Sequence, residues 1–301
     1  MTGVLFNFTN KCNLQCRHCY ASCEQQGETM GLDNIVKVLE HIPKNTSSLS
    51  ISGGEPFMKR DLLMQMLIYI KENKQKILPA GNVNLLTNGF WIRDNDDAYH
   101  ALKMIYEQNV FSLNIVSRDK FHREQGLIIT PNMSQPNGII YNLVKKLSEE
   151  KNVPLWYDGD TALNLLPNSQ RGIFMVSING SNFAYPFGRG RNLGQNEQKK
   201  TSQCNIITHS HKRTRYNELT IAADGKAYPC CWRVTPAIGS AIENPLEELA
   251  KGMWKNEVFR ALLEEGPEGV ANLLGVYRKG DKIIYERNPC VKCEEIFRGI
   301  R

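Results

Sequence analysis

The sequence has 301 residues, of which 41% are hydrophobic and 23% are charged, and its net charge is +6. This composition is typical of a globular chain long enough for one large domain or two, and nine cysteines are too few for a disulfide-built scaffold. The small positive excess does not predict nucleic acid binding. The densest basic stretch, at 211–215, is typical of a solvated surface turn, with a patch for an acidic ligand as the alternative.

The sequence also shows no sign of a membrane segment or an export signal. No run of about 18 apolar residues is present, as a spanning helix would need. The first residues lack the basic leader and apolar core of a signal peptide. We therefore expect a protein of the reducing cytoplasm that does not use a membrane as a partner.

Segments with the hydrophobic patterns of strands and of helices alternate along the first two thirds of the chain. Strands are predicted at 4–8, 49–52, 83–86, 111–116, 154–157, 173–176 and 183–185. Helices are predicted at 33–42, 61–72, 96–108 and 137–151, with Asp61 as an N-cap. Repeated strand–helix units predict an α/β fold with a parallel sheet covered by helices. Ligands of such folds bind at the carboxyl ends of the strands, where this sequence places glycine and polar residues.

Three cysteines follow the first strand in the pattern Cys12-x3-Cys16-x2-Cys19. Three thiolates on one short loop can bind three irons of a [4Fe–4S] cluster and leave the fourth iron open for a small ligand. A zinc site that borrows Cys23 or His18, or a group of free thiols, is the alternative on spacing alone. This loop is the first candidate metal site.

A second motif, Gly53-Gly54-Glu55-Pro56, stands at the end of the second strand. Together and in this order, the two motifs resemble those of radical S-adenosylmethionine (SAM) enzymes, and the resemblance covers essentially the whole chain. It implies a partial (β/α)6 TIM-like barrel and a [4Fe–4S] cluster whose open iron chelates SAM. It further implies that one electron, from an external donor such as flavodoxin or ferredoxin, cleaves SAM to a 5′-deoxyadenosyl radical. That radical abstracts a hydrogen atom from the substrate.

The resemblance also implies which residues bind SAM. In the family, an aromatic residue near the adenine precedes the third cysteine, and His18 holds that position here. The glutamate of the second motif, Glu55, accepts a hydrogen bond from the SAM ammonium, and polar residues after later strands bind the methionine end and the ribose. The implied SAM-binding residues are His18, Gly53, Gly54, Glu55, Asn88, Ser117, Asp119 and Arg189. Helix caps and surface loops are the structural alternatives for the later members of this set.

Five cysteines remain in the last third of the chain, after a glycine-rich stretch at 188–194 that we take as a domain boundary. Cys204, Cys230, Cys290 and Cys293 could close a second [4Fe–4S] cluster, or a structural zinc site with the same four thiolates. Such an extension resembles the twitch domain, a shortened SPASM domain. The predicted division is therefore a barrel at 1–195 and a small α+β twitch extension at 196–301.

Cys231 directly follows Cys230, and in an extended segment the two side chains would point to opposite faces. The segments 53–57, 87–91, 117–122 and 228–231 are similar to a bacterial radical SAM peptide epimerase of the twitch type. In that enzyme the second cysteine of the pair supplies a hydrogen atom. Epimerisation must return hydrogen to the opposite face of a carbon, and a thiol S–H bond is weak enough to do so. Cys231 is the implied donor, with a cluster ligand or an inert buried thiol as alternatives.

The predicted reaction is therefore epimerisation of an amino-acid residue in a ribosomal peptide. The alternatives are a twitch-type carbohydrate or aminoglycoside epimerase or dehydrogenase, a peptide thioether-forming enzyme, and a metal-binding protein without enzyme activity. Eleven residues precede Cys12, which we expect to be too few for a separate peptide-binding domain, and this keeps a small carbohydrate open as the substrate.

Overall fold

The computed structural model describes residues 3–117, 119–127, 138–152, 156–158, 175–178, 189, 192–193, 218–276 and 289–299. One sheet of nine strands forms its centre. The strands are β1 (Gly3–Thr9), β2 (Ser48–Gly53), β3 (Asn82–Thr87), β4 (Ser112–Ile115), β5 (Trp156–Asp158), β6 (Met175–Ile178), β7 (Glu218–Ile221), β8 (Lys226–Tyr228) and β9 (Gly239–Ser240). Their order in the sheet is β5-β6-β4-β3-β2-β1-β7-β8-β9.

Strands β1 to β7 run parallel, and β7, β8 and β9 form antiparallel pairs at one end of the sheet. The predicted α/β fold, a partial barrel of parallel strands, is confirmed. The order of its last two strands differs from the order along the chain, because β6 pairs with β4 and β5 lies at the edge. Hydrophobic periodicity marks strands but carries no signal for which strands pair.

Helices connect the parallel strands and follow the hairpin. They are α1 (Leu32–Glu40), α2 (Arg60–Glu72), α3 (Lys74–Ile77), α4 (Asp96–Glu107), α5 (Lys120–Glu124), α6 (Ile139–Lys151), α7 (Leu246–Lys255), α8 (Glu257–Glu265), α9 (Pro267–Leu274) and α10 (Pro289–Gly299). The four predicted helices are all present, with ends within about two residues of the prediction. The predicted cap at Asp61 is wrong, because a 3₁₀ turn at Pro56–Lys59 leads directly into α2 and puts Asp61 in its first turn.

The two faces of the sheet differ sharply in chemistry. One face carries large apolar side chains such as Phe6, Ile51 and Leu85, which are fully buried in one core with the helices. The other face carries mainly serine and asparagine in β2, β3 and β4, with Leu86 as an exception, because side chains alternate between the faces along a strand. Helices therefore cover only the apolar face of these strands, as in a barrel whose interior is the polar face.

The strands of the last third of the chain belong to the same sheet as the strands before them. Strand β7 pairs in parallel with β1, so the sheet continues across the predicted boundary at 195. The division into domains at 1–195 and 196–301 stays a prediction. The predicted strand at 183–185 and the basic stretch at 211–215 lie outside the described residues. Within the part that the structure describes, no helix combines the length and apolar character needed to cross a bilayer.

Candidate functional site

The loop after β1 carries the first three cysteines and is fixed on α5. Cys12 and Cys16 are buried and Cys19 packs against them in a small apolar cluster that also contains Phe121. On the outside of the loop, the guanidinium of Arg17 donates two hydrogen bonds of 3.0 Å to the carboxylate of Glu124. The structure therefore brings together the three thiols that the sequence predicts as metal ligands.

Two of the three sulfurs accept hydrogen bonds from backbone amides. The amide of Leu14 donates to Cys12 Sγ and that of Cys23 donates to Cys19 Sγ, both at 3.4 Å. Burial raises the pKa of Cys12 to about 11 and the pKa of Cys16 to about 12. A hydrogen bond from Cys23 lowers the pKa of Cys19 to about 6. Because buried thiolates at Cys12 and Cys16 need a positive charge beside them, this donor set fits a [4Fe–4S] cluster.

The two motif glycines allow β2 to approach the start of this loop. Gly53 has a φ of 151°, and a Cβ there would lie 2.3 Å from the carbonyl oxygen of Thr9. A Cβ on Gly54 would lie 2.4 Å from the carbonyl oxygen of Lys11. The amides of Gly54 and Glu55 donate to these two carbonyls at 2.7 and 2.8 Å. Glycine is thus required by the contact between two backbones, and contact with SAM stays a prediction.

Glu55 connects the ends of β2 and β3 inside the protein. It is fully buried, and its carboxylate accepts from the amide of Phe57 at 3.0 Å, the hydroxyl of Thr87 at 2.8 Å and the amide of Asn88 at 2.6 Å. Burial raises the pKa of Glu55 to about 7 against the effect of these donors. A carboxylate has about four acceptor sites, so one remains for the predicted bond from the SAM ammonium.

Asn88 and Ser117 extend this network to β4 and back to the cysteine loop. The side-chain amide of Asn88 donates to Asn13 Oδ1 at 2.9 Å, and its own Oδ1 accepts from the amide of Phe90 at 3.0 Å. The hydroxyl of Ser117 donates to the carbonyl of Asn88 at 2.5 Å. Both predicted residues are therefore at the carboxyl edge of the sheet, beside the loop.

Asp119 caps α5 and orients a histidine that packs against the loop. Its carboxylate accepts from the amide of His122 at 3.0 Å and lies 2.7 Å from His122 Nδ1. Burial alone would raise the pKa of Asp119, but its bonds to His122 hold that pKa below the usual range.

The ring of His18 stacks on Phe121 at 4.7 Å, and burial lowers the pKa of His18 to about 4. Cys16, His18 and His122 offer ligand atoms within 4.8 Å of one another, so the zinc alternative keeps a geometric basis.

Arg189 binds the cysteine loop itself. Its amide donates to the carbonyl of Cys19 at 3.0 Å, and its Nε donates to the carbonyl of Cys16 at 2.9 Å. The same guanidinium lies close enough to the thiols to lower the pKa of Cys12 and Cys16 in opposition to burial. Arg189 therefore holds the loop in place, and its predicted contact with a SAM carboxylate or a substrate acid stays a prediction.

A chain of uncharged polar side chains crosses the polar face of the sheet below this edge. Asn84 donates to Ser48 at 2.8 Å and accepts from Ser112 at 2.7 Å, while Asn114 donates to Ser112 at 3.0 Å and accepts from Ser177 at 2.7 Å. Bulky branched side chains fill the interior of a complete barrel. Short polar side chains leave room there, and they offer hydrogen-bond donors and acceptors without charge.

The second set of cysteines is built around the turn that follows β8. Cys230, Cys290 and Cys293 are buried in the main hydrophobic core, the last two on α10. The Cys231 thiol and the amides of residues 232–234 donate hydrogen bonds to the Cys230 sulfur and lower its pKa. The same bond and burial raise the pKa of Cys231. Cys204, the fourth predicted ligand, lies outside the described residues.

Cys230 and Cys231 were expected to point to opposite faces only in an extended segment, and that condition is not met. The segment is a turn, closed by a 3.0 Å hydrogen bond from the amide of Arg233 to the carbonyl of Cys230. Arg233 itself has a φ of 55°. Because the chain bends directly after β8, the two thiols hydrogen-bond to each other instead of diverging.

Two aromatic residues connect this turn to the first cysteine loop. The rings of Tyr20 and Trp232 meet edge to face at 5.0 Å, and the guanidinium of Arg233 lies 5.7 Å from the Tyr20 ring centre. Tyr20 is the neighbour of Cys19, and Trp232 is the neighbour of Cys231. The two chain segments that carry the predicted cysteine ligands therefore contact each other through these side chains.

Sequence reasoning missed several residues that shape the site. Thr87 accepts from the amide of Gly89 and from the indole of Trp91 while it donates to Glu55, and no spacing rule indicates that role. The polar chain on the sheet had a readable signal, because serine or asparagine alternates with apolar residues in β2, in β4 and in the first half of β3. The contact between Tyr20 and Trp232 had none, because the residues are far apart in the chain.

Comparison with known proteins agrees with this geometry. Residues 6–131 match the family model of the radical SAM superfamily. A probable GTP 3′,8-cyclase of Methanococcus maripaludis is 34% identical over 86 residues, which are 28% of this chain and 27% of that protein. The putative peptide biosynthesis protein YydG of Bacillus subtilis is 28% identical over 122 residues, 40% of this chain and 36% of that protein.

The fold also resembles a solved structure. BtrN in complex with AdoMet and 2-DOIA superposes with a TM-score of 0.51 at 13% identity and covers 89% of each chain. The aligned parts span about a third of the length of the two curated relatives, 27% and 36%. The segment that matches the radical SAM family model, residues 6–131, includes the cysteine loop, the Gly-Gly-Glu edge and the Asp119 cap.

Proposed function

We propose that the chain is a radical SAM enzyme in which Cys12, Cys16 and Cys19 hold a [4Fe–4S] cluster that binds SAM. The observation that carries this proposal is the cysteine loop itself. Cys12 and Cys16 are buried in one small apolar cluster, the partly buried Cys19 packs against it, and amides point at two of the three sulfurs. When bound, the cluster and SAM would supply a 5′-deoxyadenosyl radical, with the electron coming from an external donor of the flavodoxin or ferredoxin type.

The residues around the loop hold it in place and exclude water. Glu55, Asn88 and Ser117 lock the ends of β2, β3 and β4 to one another, and each is almost completely buried. Arg189 fixes the loop from the other side through two of its carbonyls. A rigid and dry edge of this kind favours a defined position of SAM over the polar interior of the sheet.

We propose further that the last third of the chain is a twitch extension with a second [4Fe–4S] cluster held by Cys204, Cys230, Cys290 and Cys293. Three backbone amides and one thiol favour the thiolate form of Cys230, as a metal ligand requires. The three amide donors of residues 232–234 distinguish Cys230 from Cys231. We therefore take Cys230 as the ligand and Cys231 as the hydrogen donor.

The proposed reaction is epimerisation of an amino-acid residue in a ribosomal peptide. After a hydrogen atom has been removed from the residue, the S–H of Cys231 gives a hydrogen atom to the opposite face of the carbon radical. A thiyl radical would remain on Cys231, and one electron from the proposed second cluster, resupplied by the external donor, together with one proton from solvent would restore the thiol. The position of Cys231 supports this role, because its neighbour Trp232 contacts Tyr20 beside the first cysteine loop.

Two observations support a peptide as the substrate. YydG, which is 28% identical over 122 residues, is described as a putative peptide biosynthesis protein. The uncharged polar chain from Ser48 to Ser177 offers donors and acceptors that match amide groups.

The test uses the full chain with reconstituted clusters and candidate peptides in deuterated water. We expect about eight irons per chain if both clusters are present, and one solvent deuterium in each epimerised residue. Cys231→Ala should still cleave SAM and should form no epimer. Epimer formation by Cys231→Ala would contradict the role of Cys231.

The other outcomes separate the alternatives. A product two hydrogens lighter without solvent deuterium would indicate a dehydrogenase, and a new carbon–sulfur bond would indicate thioether formation. About four irons with one zinc would contradict the second cluster and leave the first.

A further inference from the structure

Cys23 is the one cysteine to which the proposed function gives no role. It lies four residues after Cys19, is only 2% exposed, and belongs to the same apolar cluster as Cys12 and Cys16. The chain folds back so that the amide of Cys23 donates to Cys19 Sγ at 3.4 Å. The side chains of Cys19 and Cys23 also hydrogen-bond to each other, and once Cys19 binds iron as a thiolate, Cys23 is the only donor of this pair.

Cys19 accordingly receives hydrogen bonds from more than one group of the same turn. The donors are the amide of Ala21, the amide of Cys23 and the thiol of Cys23. Cys12 Sγ accepts a hydrogen bond from the backbone amide of Leu14. Ser22, between these donors, has a φ of 53°, an uncommon conformation for a residue other than glycine that brings Cys23 back to Cys19.

The buried surroundings leave the Cys23 thiol few alternatives. Its second polar neighbour is Asn10 Oδ1 at 4.0 Å, the outer limit for a sulfur donor. A sulfur bound to iron carries more negative charge than an amide oxygen and is the better acceptor. A fourth thiolate on the first cluster would close the open iron that SAM needs, so a ligand role for Cys23 conflicts with the proposed function.

We propose that Cys23 is a positioning residue that donates an S–H hydrogen bond to the cluster-bound sulfur of Cys19 and thereby raises the reduction potential of the cluster. Hydrogen bonds to cluster sulfurs stabilise the reduced state, because that state carries one more negative charge. This inference rests on the proposed cluster at Cys12, Cys16 and Cys19.

The experiment compares two matched pairs of variants that differ by a single donor group. Cys23→Ser and Cys23→Ala form one pair, and Cys23→Thr and Cys23→Val form the other, nearly equal in shape within each pair. The full chain is reconstituted under anaerobic conditions and titrated with a redox-buffered reductant. The cluster under study is the one whose EPR signal changes when SAM is added.

We expect the variant with the hydroxyl to have the higher reduction potential in each pair. At a fixed applied potential, its ratio of reduced to oxidised cluster should exceed that of its partner by about threefold to tenfold, the effect of one weak hydrogen bond. Two pairs keep the test decisive if one substitution prevents folding.

Equal potentials within a pair that binds its full complement of iron would overturn the inference and leave the proposed function intact. Failure of the proposed function looks different. It would appear as a SAM-sensitive EPR signal that survives in Cys12→Ala, or as the absence of such a signal in the unmodified protein.

Discussion

Glu55 gives the sharpest test of how the site is built. It is fully buried, and three donors bind its carboxylate: the amides of Phe57 and Asn88 and the hydroxyl of Thr87. In Glu55→Gln, the amide oxygen can keep the two bonds at Oε1, but the new NH2 group faces the amide of Asn88. In Glu55→Ala, all three donors lose their acceptor.

The expected costs follow from these bonds. A buried donor without a partner costs about 1–3 kcal/mol, so Glu55→Gln should lower the free energy of unfolding by about 2 kcal/mol and Glu55→Ala by about 5 kcal/mol. Urea unfolding of the full chain, followed by tryptophan fluorescence under reducing conditions, measures both. A double-mutant cycle of Glu55→Ala with Thr87→Val, in which either substitution removes the hydrogen bond between the two side chains, should show a coupling of about 1 kcal/mol.

Two results would refute this reasoning. Equal costs for the glutamine and alanine variants would mean that the bonds at Oε1 contribute nothing to stability. A cost below about 1 kcal/mol for Glu55→Ala would mean that the three hydrogen bonds only offset the cost of burying the carboxyl group. In either case Glu55 would contribute little to stability, and its remaining predicted role would be the hydrogen bond from the SAM ammonium.

Two further predictions concern the cysteine loop and its neighbour His18. Gly54→Ala places a Cβ 2.4 Å from the carbonyl oxygen of Lys11 and should displace the cysteine loop, so the amount of bound iron should fall. In the control Gly31→Ala, the new Cβ meets no atom within 4 Å, and the variant should retain its iron. Equal iron contents of the two variants would contradict the contact between Gly54 and Lys11. Burial holds the pKa of His18 at about 4, below its usual 6.5. Because the unfolded chain then binds a proton more readily than the folded protein, the free energy of unfolding should be unaffected above pH 6.5 and should fall by up to about 3 kcal/mol as the pH drops from 6.5 to 4. His18→Phe, which keeps the ring on Phe121, should unfold in urea with a weaker dependence on pH between 6.5 and 4, and an unchanged dependence would refute the assignment to His18.

The parts of the site that could be predicted are those governed by local sequence. The spacing of Cys12, Cys16 and Cys19 marks their loop because short spacings force thiols together. The glycines at Gly53 and Gly54 mark a close approach because other residues would clash. The alternation of apolar and polar residues located the strands, since one face of each had to be buried.

The remainder depends on tertiary contacts that no local pattern encodes. The pairing of β6 with β4 and the contact of Tyr20 with Trp232 join distant segments. Glu55 was expected at a ligand, and its three internal partners follow from where β3 ends relative to β2. The turn at Cys230 depends on the conformation of Arg233 with a φ of 55°, which composition does not indicate.

The central claim is that the loop of Cys12, Cys16 and Cys19 is a radical SAM centre. The most direct test is to incubate the reconstituted full chain with SAM and a strong reductant and to measure 5′-deoxyadenosine. The account predicts that the protein forms 5′-deoxyadenosine and that Cys12→Ala, Cys16→Ala and Cys19→Ala do not. SAM cleavage that persists in any of these three variants, or no cleavage by the protein with its iron fully bound, would contradict it.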